Sequence, residues 1–221
     1  MKIKNIIFDM DGVLVDSEEA LPVACVEMFK RRGVTVKPED FTPFMGMGDN
    51  RYIGGVAEKY GIPYTLDMKD EAYAIYGEIA GELVVVYEGI KDLINKLRKQ
   101  GYKLAVASAA DDPKVDTNLQ CIGFSKNDFD AVVTGSDVTK HKPDPQVFLM
   151  ACKKMGGIPS QSVVIEDTKS GCEAAKAAGM LCIGVTSNFD ESILKKAGAD
   201  YIVVKTPEIL GILEKQKFHN S

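Results

Sequence analysis

The chain opens with a short apolar run that passes directly into two aspartates: Ile3-Lys4-Asn5-Ile6-Ile7-Phe8-Asp9-Met10-Asp11-Gly12. The run is nearly continuous in apolar residues, which is typical of a strand covered on both faces. Because alternate residues of an extended chain point to the same side, Asp9 and Asp11 are expected to flank one point, and Gly12 permits a tight turn. Aspartate and glycine are also common in turns and helix caps. This motif by itself is therefore about as compatible with an ordinary loop as with a functional site.

Further runs of this kind follow, and helical patterns separate them. The complete set of predicted strands covers residues 2–8, 103–107, 131–134, 162–165, 181–185 and 201–204. Apolar residues recur at helical spacing over 90–97, and a helix is expected from Pro145 to about Met155. Asp190 and Thr206 are expected to cap two later helices. Strands that alternate with helices predict an α/β fold with a doubly wound, parallel, Rossmann-like sheet.

One long segment interrupts this alternation. Residues 17–84 contain apolar and aromatic residues at helical spacing and few strand signals. We therefore predict a catalytic core made of 1–16 and 85–221, with a small α-helical cap domain inserted at 17–84. An insert at this point would lie above the carboxyl ends of the strands, where open α/β sheets bind ligands. Ser17 and residues 83–88 are the expected hinges.

A serine and a lysine follow other predicted strands. Ser108 comes directly after the strand at 103–107, where its hydroxyl could bind a phosphate oxygen; a capping or turn serine is the more common reading of such a residue alone. Lys142 lies in the segment Lys140-His141-Lys142-Pro143-Asp144-Pro145. A fixed lysine could neutralise a carboxylate and a phosphate together, although a solvated basic turn is the more common explanation.

Two further carboxylates, Glu166 and Asp167, end the strand at 162–165. They could simply favour the start of the next helix, or they could bind a metal. Oxygen ligands of this kind suit magnesium. Because all these segments lie at carboxyl ends of predicted parallel strands, they could converge on one edge, where Asp9, Asp11 and this pair would repel one another without a cation. A divalent ion, assisted by Lys142, would relieve that repulsion.

Composition excludes several other classes of protein. The chain has 221 residues, a net charge of −5 and no basic stretch, which argues against nucleic-acid or membrane-surface binding. Its apolar runs are shorter than the roughly 18 residues that a membrane span needs, and the run at the N-terminus is too short for a signal peptide. Two histidines, His141 and His219, cannot build a histidine triad or a zinc cluster. Five cysteines are scattered without paired spacing: Cys25, Cys121, Cys152, Cys172 and Cys182. This pattern suggests reduced thiols and a cytoplasmic protein. We expect the protein to be a monomer.

Taken together, the motifs resemble the signature of the haloacid dehalogenase-like superfamily of phosphohydrolases. The resemblance extends over essentially the whole chain and is greatest for the branch that contains β-phosphoglucomutases and sugar-phosphate phosphatases. Four signature segments occur in the family's order: Asp9-Met10-Asp11-Gly12, Ser108, Lys142 before Pro143-Asp144-Pro145, and Glu166-Asp167.

This resemblance implies a role for each matching position. Asp9 would be the nucleophile that forms an aspartyl-phosphate, and Asp11 would protonate the leaving oxygen and then activate water. Ser108 and Lys142 would hold the phosphoryl group. The resemblance also implies a magnesium site made of the Asp9 carboxylate, the Asp11 backbone oxygen, Asp167, and Glu166 either directly or through water.

Within the superfamily, the sequence favours a phosphatase. Dehalogenases lack the second aspartate, Asp11. β-Phosphoglucomutases carry a histidine where Leu21 stands, and a polar pair that grips a second phosphate where this chain has Ala110 and Asp111. An acidic Asp111 is expected to repel that phosphate. We therefore expect a magnesium-dependent phosphatase acting on a small phosphorylated metabolite, most simply a sugar phosphate; a β-phosphoglucomutase and a non-catalytic binding module remain the alternatives.

The cap is expected to select the substrate. Arg51 and Lys69 are candidates for binding a distal anionic group, although surface ion pairing is the more common role of such residues. Residues 44–55 also resemble the cap of plant proteins that carry such a domain. Three side chains could line the mouth of the pocket, although such residues more often belong to a core: Phe44, Met45 and Met47. Four glycines could let the backbone approach a ligand or could simply form turns: Gly46, Gly48, Gly54 and Gly55.

Overall fold

A six-stranded parallel sheet organises the molecule, as the sequence predicts. The computed structural model describes residues 2–44 and 48–218, and all elements below refer to those residues. The strands are β1 Asn5–Phe8, β2 Val15–Asp16, β3 Val85–Val86, β4 Lys103–Ala107, β5 Ala131–Val133, β6 Ser162–Glu166, β7 Leu181–Val185 and β8 Tyr201–Val203. Six of them form the sheet in the order β5-β4-β1-β6-β7-β8, so the strand that carries the aspartates is central.

The described helices are α1 Ala20–Arg31, α2 Asp49–Lys59, α3 Leu66–Leu83, α4 Ile90–Lys99, α5 Asp112–Ile122, α6 Gln146–Lys154, α7 Lys169–Ala177, α8 Glu191–Lys196 and α9 Ile209–Phe218. Helix α4 packs on β4, α6 on β5, β4 and β1, α7 on β6 and β7, and α8 on β7 and β8. Alternate residues of β1 enter separate apolar cores: Ile6 and Phe8 belong to one, and Ile7 to the other. Burial on both faces explains why the strand is apolar at successive positions.

Some predicted boundaries were wrong by a few residues. Strand β1 begins at Asn5 rather than at residue 2, because both of its neighbours begin in register with Asn5, at Lys103 and Ser162. Strand β5 ends before Thr134, which caps a short 3-10 turn.

The expected capping side chains also behave differently. Asp190 occupies the N-cap position of α8 without a side-chain capping bond. Thr206 is not a cap: its hydroxyl donates to the carbonyl of Val13, 2.7 Å away. Thr206 is the first residue of a 3-10 helix, Thr206–Glu208, that leads into α9, and its side chain anchors the loop after β1.

The segment between β2 and β3 is helical, in agreement with its sequence pattern. It contains α1, α2 and α3 together with a 3-10 helix at Pro38–Phe44. Strands β2 and β3 pair antiparallel with each other, at the two places where the hinges were expected. Helix α3 packs on α1 and also on α5. The division into a core and a 17–84 cap remains a prediction.

Two simpler expectations concern cysteines and membranes. Four of the cysteines are buried and Cys121 is partly exposed, and all five thiols are free. Over the described part of the chain, each helix is either too short or too polar to span a bilayer.

Candidate active site

The polar segments singled out in the sequence meet at one edge of the sheet. Asp9 follows β1, and its amide donates to the carbonyl of Ile165 at 3.0 Å. Ser108 follows β4, Glu166 is the last residue of β6, and Asp167 comes next. Because β4, β1 and β6 are adjacent parallel strands, their carboxyl ends bring these residues to the same place.

Lys142 joins two of the carboxylates. Its Nζ donates to Oδ1 of Asp9 at 2.6 Å and to Oε1 of Glu166 at 2.6 Å, and its side chain is only 8% exposed. Burial alone would lower the pKa of Lys142, but the charges of Asp9 and Glu166 outweigh burial and raise the pKa above its usual range. The lysine is therefore a permanent cation of the site. Neighbouring His141 is exposed.

Asp9 is a buried carboxylate in a crowded environment. Burial raises the pKa of Asp9 to about 7; Lys142 works against this rise, while the charges of Glu166 and Asp11 add to it. One lysine therefore does not fully compensate the carboxylates around it.

Glu166 and Asp167 differ in how many donors they receive. Glu166 has both oxygens engaged: Oε1 accepts from Lys142, and Oε2 accepts from the amide and hydroxyl of Thr168 at 2.6 and 2.8 Å. Asp167 Oδ2 accepts from Nδ2 of Asn188 at 2.8 Å. Its Oδ1 is buried and has no hydrogen-bond partner among the described residues. Burial, and then the charges of Glu166 and Asp9, raise the pKa of Asp167 to about 9.

These features fit a magnesium ion. Asp9, Glu166 and Asp167 each offer an oxygen, and these oxygens lie within 4.8 Å of one another. The unpaired Oδ1 of Asp167 is a ligand atom that nothing else satisfies, and hard carboxylate oxygens are the donors that magnesium takes. Glycines keep the space open, because a Cβ at Gly12 would lie 2.1 Å from Asp167 Oδ2 and one at Gly171 would lie 1.8 Å from Glu166 Oε1.

Asp11 accepts hydrogen bonds from three side chains; Lys114 and Asn118 were not predicted from the sequence, and Ser17 was predicted only as a hinge. Nζ of Lys114 donates to its Oδ2 at 3.0 Å, Nδ2 of Asn118 donates to its Oδ1 at 3.2 Å, and the hydroxyl of Ser17 donates to the same Oδ1. Burial lowers the pKa of Lys114, but Asp11, Tyr76 and Asp49 together outweigh burial and raise the pKa above its usual range. Lys114 and Asn118 are four residues apart on α5 and so share a face; that spacing was the available signal. Tyr76 on α3 donates to Asn118 Oδ1 at 2.5 Å, which ties the helical insert to this group.

Ser108 is almost fully buried, with 1% of its surface exposed. Its Oγ accepts from the amide of Ala110 at 3.1 Å, which is the turn-type contact considered as an alternative. Its location beside the Asp9 strand also agrees with the phosphate-binding hypothesis, which stays a prediction.

A cavity of about 720 Å³ lies next to Asp11, between the insert and the core. Leu21 and Ala110, two of the positions that distinguish this chain from mutases, line it, and so do Phe44 and Gly48. Other residues expected near the mouth, Met45, Gly46 and Met47, lie outside the described residues. Gly54 and Gly55 instead pack against the rings of Tyr64 and Phe44.

The two cap cations lie away from the described lining of this cavity. Arg51 pairs with Glu58 at 2.8 Å, is 53% exposed and stacks over the ring of Phe44. Lys69 pairs with Asp111 at 2.6 Å, in a partly buried contact between α3 and the start of α5. The charge of Asp111, which we expected to repel a second phosphate, is therefore compensated by Lys69. Any role of these cations in substrate binding remains a prediction.

Comparison with known proteins agrees with this geometry. The sequence pattern of the haloacid dehalogenase-like hydrolases matches residues 6–185. A phosphorylated carbohydrates phosphatase from Thermotoga maritima is 33% identical over 95% of this chain and 98% of its own. The chloroplastic protein SUPPRESSOR OF QUENCHING 1 from Arabidopsis thaliana is 40% identical over 91% of this chain, which spans only 19% of that much longer relative. The crystal structure of CbbY from Rhodobacter sphaeroides in complex with phosphate superimposes with a TM-score of 0.82 at 26% identity, over 96% of this chain and 99% of that one.

The chain belongs to the haloacid dehalogenase-like hydrolase family. The predicted family and the predicted fold class are thereby confirmed. The family match and the named phosphatase relative support the predicted enzyme class, a phosphoric monoester hydrolase.

Proposed function

We propose that this protein is a magnesium-dependent phosphatase that hydrolyses a small phosphorylated metabolite through an aspartyl-phosphate on Asp9. The observation that carries the proposal is the buried group of Asp9, Glu166 and Asp167 around Lys142, in which one carboxylate oxygen of Asp167 lacks a partner among the described residues. Such a group is short of positive charge. A divalent ion would supply that charge and could also bind the oxygens of a phosphate ester.

In the first step, a carboxylate oxygen of Asp9 attacks phosphorus, and the bond from phosphorus to the leaving oxygen breaks. Asp11 gives that oxygen its proton. In the second step, Asp11 takes a proton from water, which attacks phosphorus, and the bond from phosphorus to Asp9 breaks. Inorganic phosphate leaves and both aspartates return to their initial forms. Charge screening by Lys142 lets an anionic carboxylate approach an anionic phosphate.

Asp9, Asp167 and the backbone oxygen of Asp11 would hold the magnesium ion. Glu166 is better placed to act through water, because both of its oxygens already receive protein donors. When bound, the ion supplies positive charge to the phosphoryl oxygens. Ser108 and Lys142 would orient the same phosphoryl group.

The walls of the cavity favour hydrolysis over mutase chemistry. A mutase must grip a second phosphate, and Leu21 and Ala110 present apolar side chains where that grip would be expected. The phosphorylated carbohydrates phosphatase among the relatives supports a sugar phosphate as the substrate. The helical segment 17–84 would act as the cap over this cavity. A cytoplasmic location and a monomeric state remain predictions.

The test is phosphate release from a panel of phosphomonoesters with magnesium. The panel includes β-glucose 1-phosphate with and without a glucose 1,6-bisphosphate primer, and glucose 6-phosphate is measured separately. Release should disappear with EDTA and in Asp9→Asn, which keeps the shape of the side chain and removes its charge. Asp190→Asn, an exposed carboxylate at the start of α8, is the matched control and should remain active.

Each outcome separates the candidate functions. Phosphate release that depends on magnesium and on Asp9 supports the phosphatase. Primer-dependent glucose 6-phosphate without phosphate release would make the protein a mutase. Neither signal, in folded protein whose thermal stability still responds to magnesium, would favour a binding module.

A further inference from the structure

The cavity beside Asp11 has an unusual distribution of charge. Four acidic residues and one basic residue are found among its described lining: Asp11, Glu18, Glu19, Asp49 and Lys114. The rest of that lining is uncharged. In a phosphatase of this geometry, the group released from phosphorus would occupy this cavity, because it lies against the side chain that protonates the leaving oxygen.

The single cation in this lining is already committed. Lys114 is 8% exposed and donates to Asp11 at 3.0 Å. The charges of Asp11 and Asp49 both act on it. Its positive charge is therefore balanced within the site, and a negative group on a ligand would compete with Asp11 for it.

The two cations of the helical segment considered for substrate binding, Arg51 and Lys69, lie outside the described lining and are already paired. Arg51 is directed to Glu58, and Lys69 is directed to Asp111, which also accepts from the hydroxyl of Ser136 at 3.1 Å. Recruiting either cation to a ligand would leave an acidic partner without its counter-charge. Glu18 and Glu19 extend from the start of α1, are exposed, and form no ion pair with the described residues. Asp49 accepts from the hydroxyl of Tyr73. The charges of Lys69 and Lys114 act on Asp49 without an ion-pair contact.

A second anionic group on the substrate would therefore enter a region of negative potential. Like charges close to a protein surface repel more strongly than in bulk water, because the protein excludes part of the solvent between them. An uncharged hydroxylated group meets no such penalty and finds carboxylate acceptors for its hydroxyls.

We propose that this site selects phosphomonoesters whose leaving group carries no negative charge, and that Glu18, Glu19 and Asp49 are the residues that reject a second anion. This inference rests on the proposed phosphatase function. It favours esters of sugars and other polyols, and it disfavours phosphorylated carboxylic acids and bisphosphates.

The experiment uses pairs of substrates that match in size and differ in charge. Glycerol 3-phosphate is compared with 3-phosphoglycerate, and glucose 6-phosphate is compared with 6-phosphogluconate, at equal free magnesium. We expect kcat/KM to be at least about tenfold higher for the member of each pair whose leaving group is uncharged, a difference that one repulsive contact is large enough to produce. Equal values, or a preference for the acid, would overturn the inference while leaving the phosphatase function in place. Absence of phosphate release from all four esters would overturn both.

Two variants assign the discrimination to the named residues. In the double variant Glu18→Gln/Glu19→Gln, and separately in Asp49→Asn, the ratio of kcat/KM between the paired substrates should fall by at least about threefold through loss of the repulsion. Glu82→Gln, an exposed glutamate of α3 outside the described lining, is the matched control and should keep the ratio of the unmodified protein. A ratio that stays the same in both cavity variants would refute the assignment.

Discussion

Replacing Asp167 with asparagine should stabilise the metal-free protein and remove its response to magnesium. The Asp167 carboxylate is fully buried, and its Oδ1 has no partner among the described residues. Burial, together with the charges of Glu166 and Asp9, raises its pKa from 3.8 to about 9. An asparagine has the same shape, can still accept from Asn188, and does not carry the charge.

The size of the effect follows from linkage between protonation and folding. Below pH 3.8 the Asp167 carboxyl is protonated in both the folded and the unfolded chain, so its raised pKa does not affect stability. As the pH rises from 3.8 to about 9, the group destabilises the fold progressively. At about 1.4 kcal/mol per pH unit, the penalty at pH 7 reaches at most about 4 kcal/mol. Sharing of protons with Asp9 reduces it, so we expect asparagine to stabilise the metal-free fold by about 2–4 kcal/mol. For a chain of this length, that corresponds to a rise in Tm of roughly 4–16 °C.

The assay is thermal unfolding followed by circular dichroism, in EDTA and in increasing magnesium. In EDTA at pH 7, Asp167→Asn should unfold at a higher temperature than the unmodified protein, and this difference should shrink toward pH 4. Magnesium should stabilise the unmodified protein by about 2.7 kcal/mol at a concentration 100 times Kd, and so raise its Tm. It should change the Tm of the variant little. Asp190→Asn should behave as the unmodified protein in both conditions.

Two results would refute this reasoning. A lower Tm for Asp167→Asn in EDTA would mean that the charge of this carboxylate stabilises the metal-free fold. An equal magnesium-induced rise in Tm for the variant and the unmodified protein would mean that Asp167 does not bind the ion.

Three other substitutions test separate contacts of the site. Lys142→Met removes the cation shared by two buried carboxylates, so the free energy of unfolding in EDTA should fall by about 3–5 kcal/mol; urea denaturation checks this, and an unchanged midpoint would contradict it. Lys114→Met withdraws one of three donors from Asp11. Because acid–base catalysis contributes about 10²–10⁴-fold, kcat should fall at least about tenfold with a smaller change in KM. Lys114→Arg should recover part of the loss, and full activity of the methionine variant would refute a role of Lys114 in positioning Asp11. Gly12→Ala introduces a Cβ 2.1 Å from Asp167 at a φ of +77°, which should destabilise the fold by about 1–3 kcal/mol and weaken magnesium binding; calorimetry that finds both unchanged would contradict the close packing.

The strands of the large sheet could be predicted because their sequences report burial on both faces. Ile6 and Ile7 are adjacent in sequence and enter different cores, so apolar residues occupy successive positions. The exact ends could not be predicted, because a strand ends where its neighbours end. Asn5 begins β1 because Lys103 and Ser162 begin the strands on either side.

Short elements and capping contacts were beyond the sequence. The two-residue strands β2 and β3 have no periodicity to detect, and they exist because the chain crosses twice between the sheet and the helical segment. Threonine is a common capping residue, so the sequence suggested that Thr206 caps a helix. Its hydroxyl can reach the carbonyl of Val13 only after the loop following β1 has folded against it.

Some residues of the candidate site could be predicted from the sequence, and others could not. Asp9, Ser108, Glu166 and Asp167 could be placed together because parallel strands end at one edge. Lys142 could be added from the resemblance. The supporting contacts came from elsewhere in the fold: Lys114 and Asn118 from a helix face, and Asn188 from the loop after β7.

The sequence by itself determined the parallel sheet, the helical nature of the insert and the edge at which the carboxylates meet, because burial patterns and strand polarity are local properties. Only the tertiary structure decided which charges neutralise one another. It pairs Lys69 with Asp111, Arg51 with Glu58 and Lys114 with Asp11. The cavity beside Asp11 is therefore mainly acidic, which the amino-acid sequence did not reveal. An ion pair depends on the distance between side chains that lie far apart in the chain, and that distance is set by how the helices pack.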